Sequence, residues 1–228
     1  MLTPTSYPAA PPARSLAPRA ASRMRSRAFP RTALVVLGLW IAWGIVGALT
    51  SVLIHLPPPL LPLLIWTPVG IAALAYRTRP ALRDALLAVG LRPLILFHSV
   101  RALIGASFLL NGARGILPPA FATPAGWGDL IVGLLAVPAA LAAWRPSALP
   151  TPARRRVVAL WNTVAFADIL LAFGSAQRLI FFVHDLRMRT TLGSWPNALV
   201  PLLIVPAVLA THLLVFAHLS RWRSPSIG

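Results

Sequence analysis

Six stretches of the chain are apolar enough, and free enough of charge, to read as helices that cross a bilayer. A crossing takes about 20 apolar residues for a hydrocarbon core of roughly 30 Å. The runs are Ala33 to Leu56, Leu60 to Ala75, Leu94 to Gly112, Asp129 to Trp144, Val157 to about Phe173, and Asn197 to about Ser220. The second, which follows Pro57 to Pro59, and the fourth are close to the lower length limit, so a count of five is the alternative.

Arginine placement sharpens the count, because short cytoplasmic loops carry an excess of positive charge. Residues 1–32 hold six Arg. Arg77, Arg79, Arg83 and Arg92 follow the second run, Arg145 and Arg154 to Arg156 follow the fourth, and Arg221 and Arg223 follow the sixth. The opposite loops hold only Arg114, Arg178, Arg187 and Arg189, and Arg101 remains inside a run. Six crossings put the rich segments on one side, so both termini are expected in the cytoplasm. The expected organisation is a disordered basic cytoplasmic tail (1–31), an N-terminal transmembrane helical pair (32–76), a cytoplasmic loop (77–93) and a four-helix transmembrane core (94–223). The fold class is therefore all-α integral membrane, with crossings three to six as the core bundle. A Pro-, Ala-, Ser- and Arg-rich arm also suits a transit peptide or nucleic-acid contact, but the tail reads as an orienting segment, with the bilayer and no nucleic acid as partner. Met24 opens a compact Arg-rich leader of its own, and no secretory cleavage pattern follows the run at Ala33.

Composition agrees: of 228 residues 57% are apolar and 11% charged, the net charge is +17, and the mean hydropathy is +0.76. All 21 basic residues are Arg and all four acids are Asp. With heavy Ala, Leu, Pro and Gly usage, this pattern reads as the codon bias of a GC-rich genome rather than as selection for guanidinium chemistry. There is no Cys, which excludes disulfides, thiolate metal sites, covalently attached c-type haem and cysteine nucleophiles.

Ionisable residues inside a crossing cost about 2.5–3.5 kcal/mol each on insertion scales, so they face the bundle interior and have partners. His98 and Arg101 are three apart and share a helix face that continues through Gly105 and Phe108 to Gly112. Counted at 1.5 Å per residue, Arg101 lies about 10 Å, Asp168 about 16 Å and His212 about 12 Å from the cytoplasmic end. Trp161 and Asp168 are two turns apart on one face, whereas Asn162 points about 120° away toward a different neighbour. The expected centre is an interior Arg101–Asp168 pair with His212 beside it. It either locks helices together or binds a proton, a small solute or a cofactor. His218 reads as an interfacial anchor, and His55 and His184 as residues of the opposite loops.

Between the third and fourth runs, Pro118, Pro119 and Pro124 argue against a regular helix, and Gly126 and Gly128 allow a tight turn before Asp129 caps the fourth run. Asp129 is then placed to meet Arg114, with Phe121 and Trp127 at the outer interface. The alternative is a re-entrant outer gate, tolerated where it is buried in protein or lines a watery cavity. Gly133, Ala136 and Ala140 form a small-residue stripe suited to close helix packing.

At Phe121-Ala122-Thr123-Pro124-Ala125-Gly126-Trp127-Gly128-Asp129, at Trp161-Asn162 with Asp168 six residues later, and through the Pro206-to-His212 run, the sequence resembles a group of uncharacterised bacterial multi-pass inner-membrane proteins. The resemblance covers about residues 94–220. It implies a four-helix core with an attached helical pair in the inner membrane, and it brings no activity with it.

Four functions compete. In a proton- or small-solute-handling protein, Asp168 titrates and Arg101 and His212 tune it, although no internal repeat of the transporter kind is visible. A b-type haem protein would use His98 and His212 as axial ligands, with Arg101 near a propionate; the counts put the two His about 6 Å apart in depth. A hydrolase is disfavoured because there is no Glu, no Cys, no His-Glu-x-x-His and no Gly-x-Ser-x-Gly. Asp129 and Asp168 also fall at opposite depths, which leaves no carboxylate pair; a metal site from Asp168, His98 and His212 is conceivable, but cross-helix ligand sets are not legible from spacing. The fourth is a non-catalytic accessory or scaffold subunit for another membrane protein.

Overall fold

Backbone polar groups in hydrocarbon must be satisfied within the segment, and each long apolar run meets that demand as a helix. A computed structural model describes residues 29–143 and 151–221. The helices are α1 (Arg31–Leu49), α2 (Val52–His55), α3 (Leu60–Thr78), α4 (Pro80–Ala88), α5 (Leu91–Phe97), α6 (Val100–Ala113), α7 (Pro119–Ala142), α8 (Thr151–Phe181), α9 (Leu186–Gly193) and α10 (Val205–Ser220). A π-helical turn, Val200–Ile204, leads into α10. There is no strand among the described residues, and six helical segments are long and apolar enough to cross a membrane. The third crossing joins α5 and α6, and the sixth joins the π turn and α10. The chain is an all-α, six-span membrane protein. The tail up to Ala28, the Trp144–Pro150 segment with Arg145, and the end of the chain with Arg223 lie outside the described residues.

α1 is apolar on every side, and only Gly44, Gly47 and Ala48 are buried. Such a helix has lipid around most of it. It leans on the sixth crossing, where Gly44 abuts the Leu203 side chain.

The core is α6, α7 and α8. Small residues bring the backbones together, since packing of this kind is what holds membrane helices. A Cβ on Gly105 would collide with the α7 backbone at Gly126 and Leu130, and one on Gly133 would collide with Ala102. Ala136 and Ala140 are buried in the same stripe. Contacts between α7 and α8 run in opposite order, Val132 with Trp161 and Asp129 beside Asp168, so the two helices are antiparallel.

The segment expected to be a broken loop is instead the start of α7, ten residues earlier than the sequence suggested. Pro118 sits at the cap in an extended conformation and Pro119 at the first helical position, where a missing N–H costs nothing. Pro124, and further along Pro138, each remove an internal bond, a loss that a membrane helix tolerates. Gly115, at φ 71°, closes α6 and lets the Ile116 and Leu117 amides return to the Asn111 carbonyl. α8 likewise outruns its expected end near Phe173 and reaches Phe181.

The third crossing breaks at His98 and Ser99. The amides of His98, Ser99, Arg101 and Ala102 bond three residues back, tightening the helix between the two polar side chains it presents. At the head of the sixth crossing, the Val205 amide reaches back to Val200 and Pro206 has no N–H to offer, which accounts for the π turn. On this end of the molecule Asp185 caps α9, and Arg189 Nη2 donates to the carbonyls of Ile54 (2.5 Å) and Leu56 (3.1 Å), tying α9 to α2.

Candidate functional site

Arg101 is 1% exposed in the middle of the bundle. Its Nε donates to Asp129 Oδ1 at 2.6 Å, Nη1 to the Ala165 carbonyl at 2.9 Å, and Nη2 to Asp168 Oδ2. Three crossings are thereby pinned by one guanidinium. Arg101 and Asp129 each lie about 15 Å into their helices, counted from opposite ends, so they meet near mid-membrane. Asp129 is almost fully buried, while the Asp168 side chain is 22% exposed, at the edge between α7 and α8. Gly128 makes room for it: a Cβ there would collide with the Asp168 carboxylate.

The expected Arg101–Asp168 pair is present, but it is one half of a triad. Asp129 is neither an N-cap nor a partner of Arg114, because α7 begins at Pro119 and carries Asp129 inward to the depth of Asp168. The two carboxylates expected at opposite depths share one arginine. Arg114 is exposed at the end of α6, and Trp127 is 53% exposed along α7, so neither joins the site. Phe121, expected at the interface, is buried against Phe108 with ring centroids 5.2 Å apart.

His212 does not sit on the ion pair. It forms a second, aromatic layer with His98, Trp161 and Phe166, with centroid distances of 4.1 Å from His98 to His212, 5.2 Å from His98 to Trp161 and 5.6 Å from Phe166 to His212. Asn162 turns to the sixth crossing, as its helical phase suggested. Its Nδ2 donates to the His212 carbonyl (3.3 Å), so its Oδ1 accepts from His212 Nδ1 (2.8 Å). His98 Nε2 meets the Thr211 hydroxyl at 3.2 Å, and Trp161 Nε1 donates to the Val132 carbonyl. His98 Nδ1 and His212 Nε2 are buried without a hydrogen-bond partner among the described residues. The Arg101 layer fits the rule that buried polar groups come paired, and these two ring nitrogens are exceptions to it.

A haem does not fit between these histidines. Their rings are in direct contact at 4.1 Å with a 41° tilt, and two axial ligands need a macrocycle between their nitrogens. The expected depth offset of about 6 Å is not found, since the ring centroids are 4.1 Å apart. No group of three or more metal-ligating side chains stands together among the described residues.

The layers are unequal in their surroundings. On the side of the Arg-rich ends, the aromatic layer covers the triad. On the other side an apolar cavity of about 80 Å³ reaches from Arg101 and Asp129 past Ile169 and Ala176 to Gln177 and Arg189. Sequence reading missed Asp129 as a triad member and missed Gln177 and Arg189. The Pro118-Pro119 pair, read as a helix start, was the available signal for the first; nothing in the spacing marked the others.

A charged triad held at the centre of six apolar helices defines a multi-pass membrane protein with a polar intramembrane site. The chain belongs to the family described as a domain of unknown function, DUF8737, whose model matches residues 58–220. That stretch takes in crossings two to six and both polar layers. No curated protein and no solved structure matches the chain.

Proposed function

We propose that this protein binds a proton at the Arg101–Asp129–Asp168 triad and uses it to move a proton or a small solute across the plasma membrane. The observation that carries the reading is one guanidinium between two carboxylates at mid-membrane. With all three groups ionised the triad has one net negative charge, and an uncompensated charge at that depth is costly. One proton restores neutrality. Asp168, the most exposed member, is the exchanging group. The one-sided distribution of arginine supports cytoplasmic termini, and the sequence resemblance supports a bacterial inner membrane.

In proteoliposomes enclosing a pH-sensitive dye, the wild-type protein is expected to relax an imposed pH gradient and Asp168→Asn to lose that flux while keeping its helical content. Equal flux in the two proteins overturns the proposal and leaves the triad as a helix lock.

A further inference from the structure

We infer that the cavity beside the triad is a water passage that opens Asp129 to the α2–α9 end of the molecule. It rests on the proton reading of the triad and narrows it, since the passage is sized for water and protons and not for a solute. The cavity holds about 80 Å³, whereas an apolar cavity that takes one benzene is about 150 Å³. A water needs about 10–15 Å³ by the same measure, so there is room for about five. Along α8 the wall runs from Ile169 to Ile180, about 16 Å at helical rise. A file of that many waters, hydrogen-bonded at about 2.8 Å, covers most of that length.

Cavities lined by apolar groups alone stay dry, and polar partners are what hold water inside a protein. Here the inner end is charged, because Arg101 and Asp129 both line it. Asp168 is not on this wall and has its own exposure at the α7–α8 edge, so the two carboxylates open to different surroundings. At the outer end the lining includes Gln177 and Arg189, the residue that ties α9 to α2. Between these polar ends Ile104, Phe108, Ile169 and Ala172 make an apolar neck. Necks of this kind close by dewetting, which lets water through without leaving the site permanently flooded.

The chain has no Cys, so single cysteines can be placed in the full-length protein and probed in sealed vesicles with silver ion, a small cation that needs water to reach a buried thiol. Ala172 and Ala176 line the cavity, while Leu171 is 74% exposed on the outer surface of the same helix. With silver added on the α9 side, Ala172→Cys and Ala176→Cys are expected to react about tenfold or more faster than Leu171→Cys, because a charge enters hydrocarbon at a cost of about 2.5–3.5 kcal/mol. The cysteine-free wild type is the blank. Adding Ala176→Phe to Ala172→Cys plugs the passage outside the thiol and cuts its reaction by about the same factor, with thermal unfolding as the control for folding. Wall thiols that react no faster than Leu171→Cys, or equally from both sides, overturn the passage, and so does a folded double variant whose thiol reacts at the undiminished rate. The single-cysteine arms decide the matter if the double variant does not fold. Silver reaction needs no transport, so a protein that moves no protons but reacts in the expected pattern loses the proposed function and keeps the passage.

Discussion

Arg101 is held by contacts that cannot be removed one at a time without leaving charge behind. Arg101→Met deletes the cation and strands two carboxylates in the bundle. Breaking a buried ion pair by removing one partner costs about 3–5 kcal/mol, whereas replacing all members by apolar groups is often neutral. The single variant is therefore expected to lose about that much stability in detergent unfolding, and the triple variant Arg101→Met, Asp129→Leu, Asp168→Leu to regain most of it. A single variant as stable as the wild type would mean that the carboxylates do not depend on Arg101. Arg101, Asp168, His98 and His212 were legible in the sequence because ionisable residues in apolar runs stand out. Asp129 was visible as well but misplaced, since its depth depends on where α7 starts and not on its own neighbours.

At the level of elements, glycine decides how near the helices come. Gly128 differs from Gly105: a Cβ on Gly105 meets backbone, while one on Gly128 meets only the end of the Asp168 side chain. Gly128→Ala is expected to displace Asp168 from Arg101 and cut proton flux severalfold at a smaller cost in stability than Gly105→Ala, which unsettles the whole α6–α7 contact. Flux and melting measured on the same preparations check both, and Gly128→Ala with full flux would contradict the role given to Asp168. The α9 cap titrates separately. Burial acts against ionisation of Asp185, but the Met188 amide, then the Arg187 side chain and amide, outweigh it and hold the carboxyl below its ordinary value. The stability this cap contributes is present above the ordinary carboxylate range and is lost as pH falls through the depressed value. Asp185→Ala should cost about 1 kcal/mol at neutral pH and speed hydrogen exchange across residues 186–193, with wild type and variant converging in acid. Equal exchange at neutral pH would contradict the cap. Element boundaries were the least legible feature: the crossings at Asp129 and Phe173 were drawn where apolar character faltered, while the helices follow backbone hydrogen bonding to Pro119 and Phe181.

Across the whole molecule, the number of crossings was readable because hydrocarbon leaves the chain few alternatives. The relation between crossings was not, because it rests on small-residue contacts that any Ala- and Gly-rich run could make. The result is a polarised interior. Rings of His98, Trp161, Phe166 and His212 close one side of the triad, and an apolar shaft leads away from the other. The account turns on the net charge of the three groups at its centre. Infrared difference spectroscopy of the protein in nanodiscs reads this directly through the carbonyl stretch of a protonated carboxyl group. One protonated Asp per chain near neutral pH, absent in Asp168→Asn, is the predicted result; no such band, or one that persists in Asp168→Asn, would contradict a proton shared by the triad.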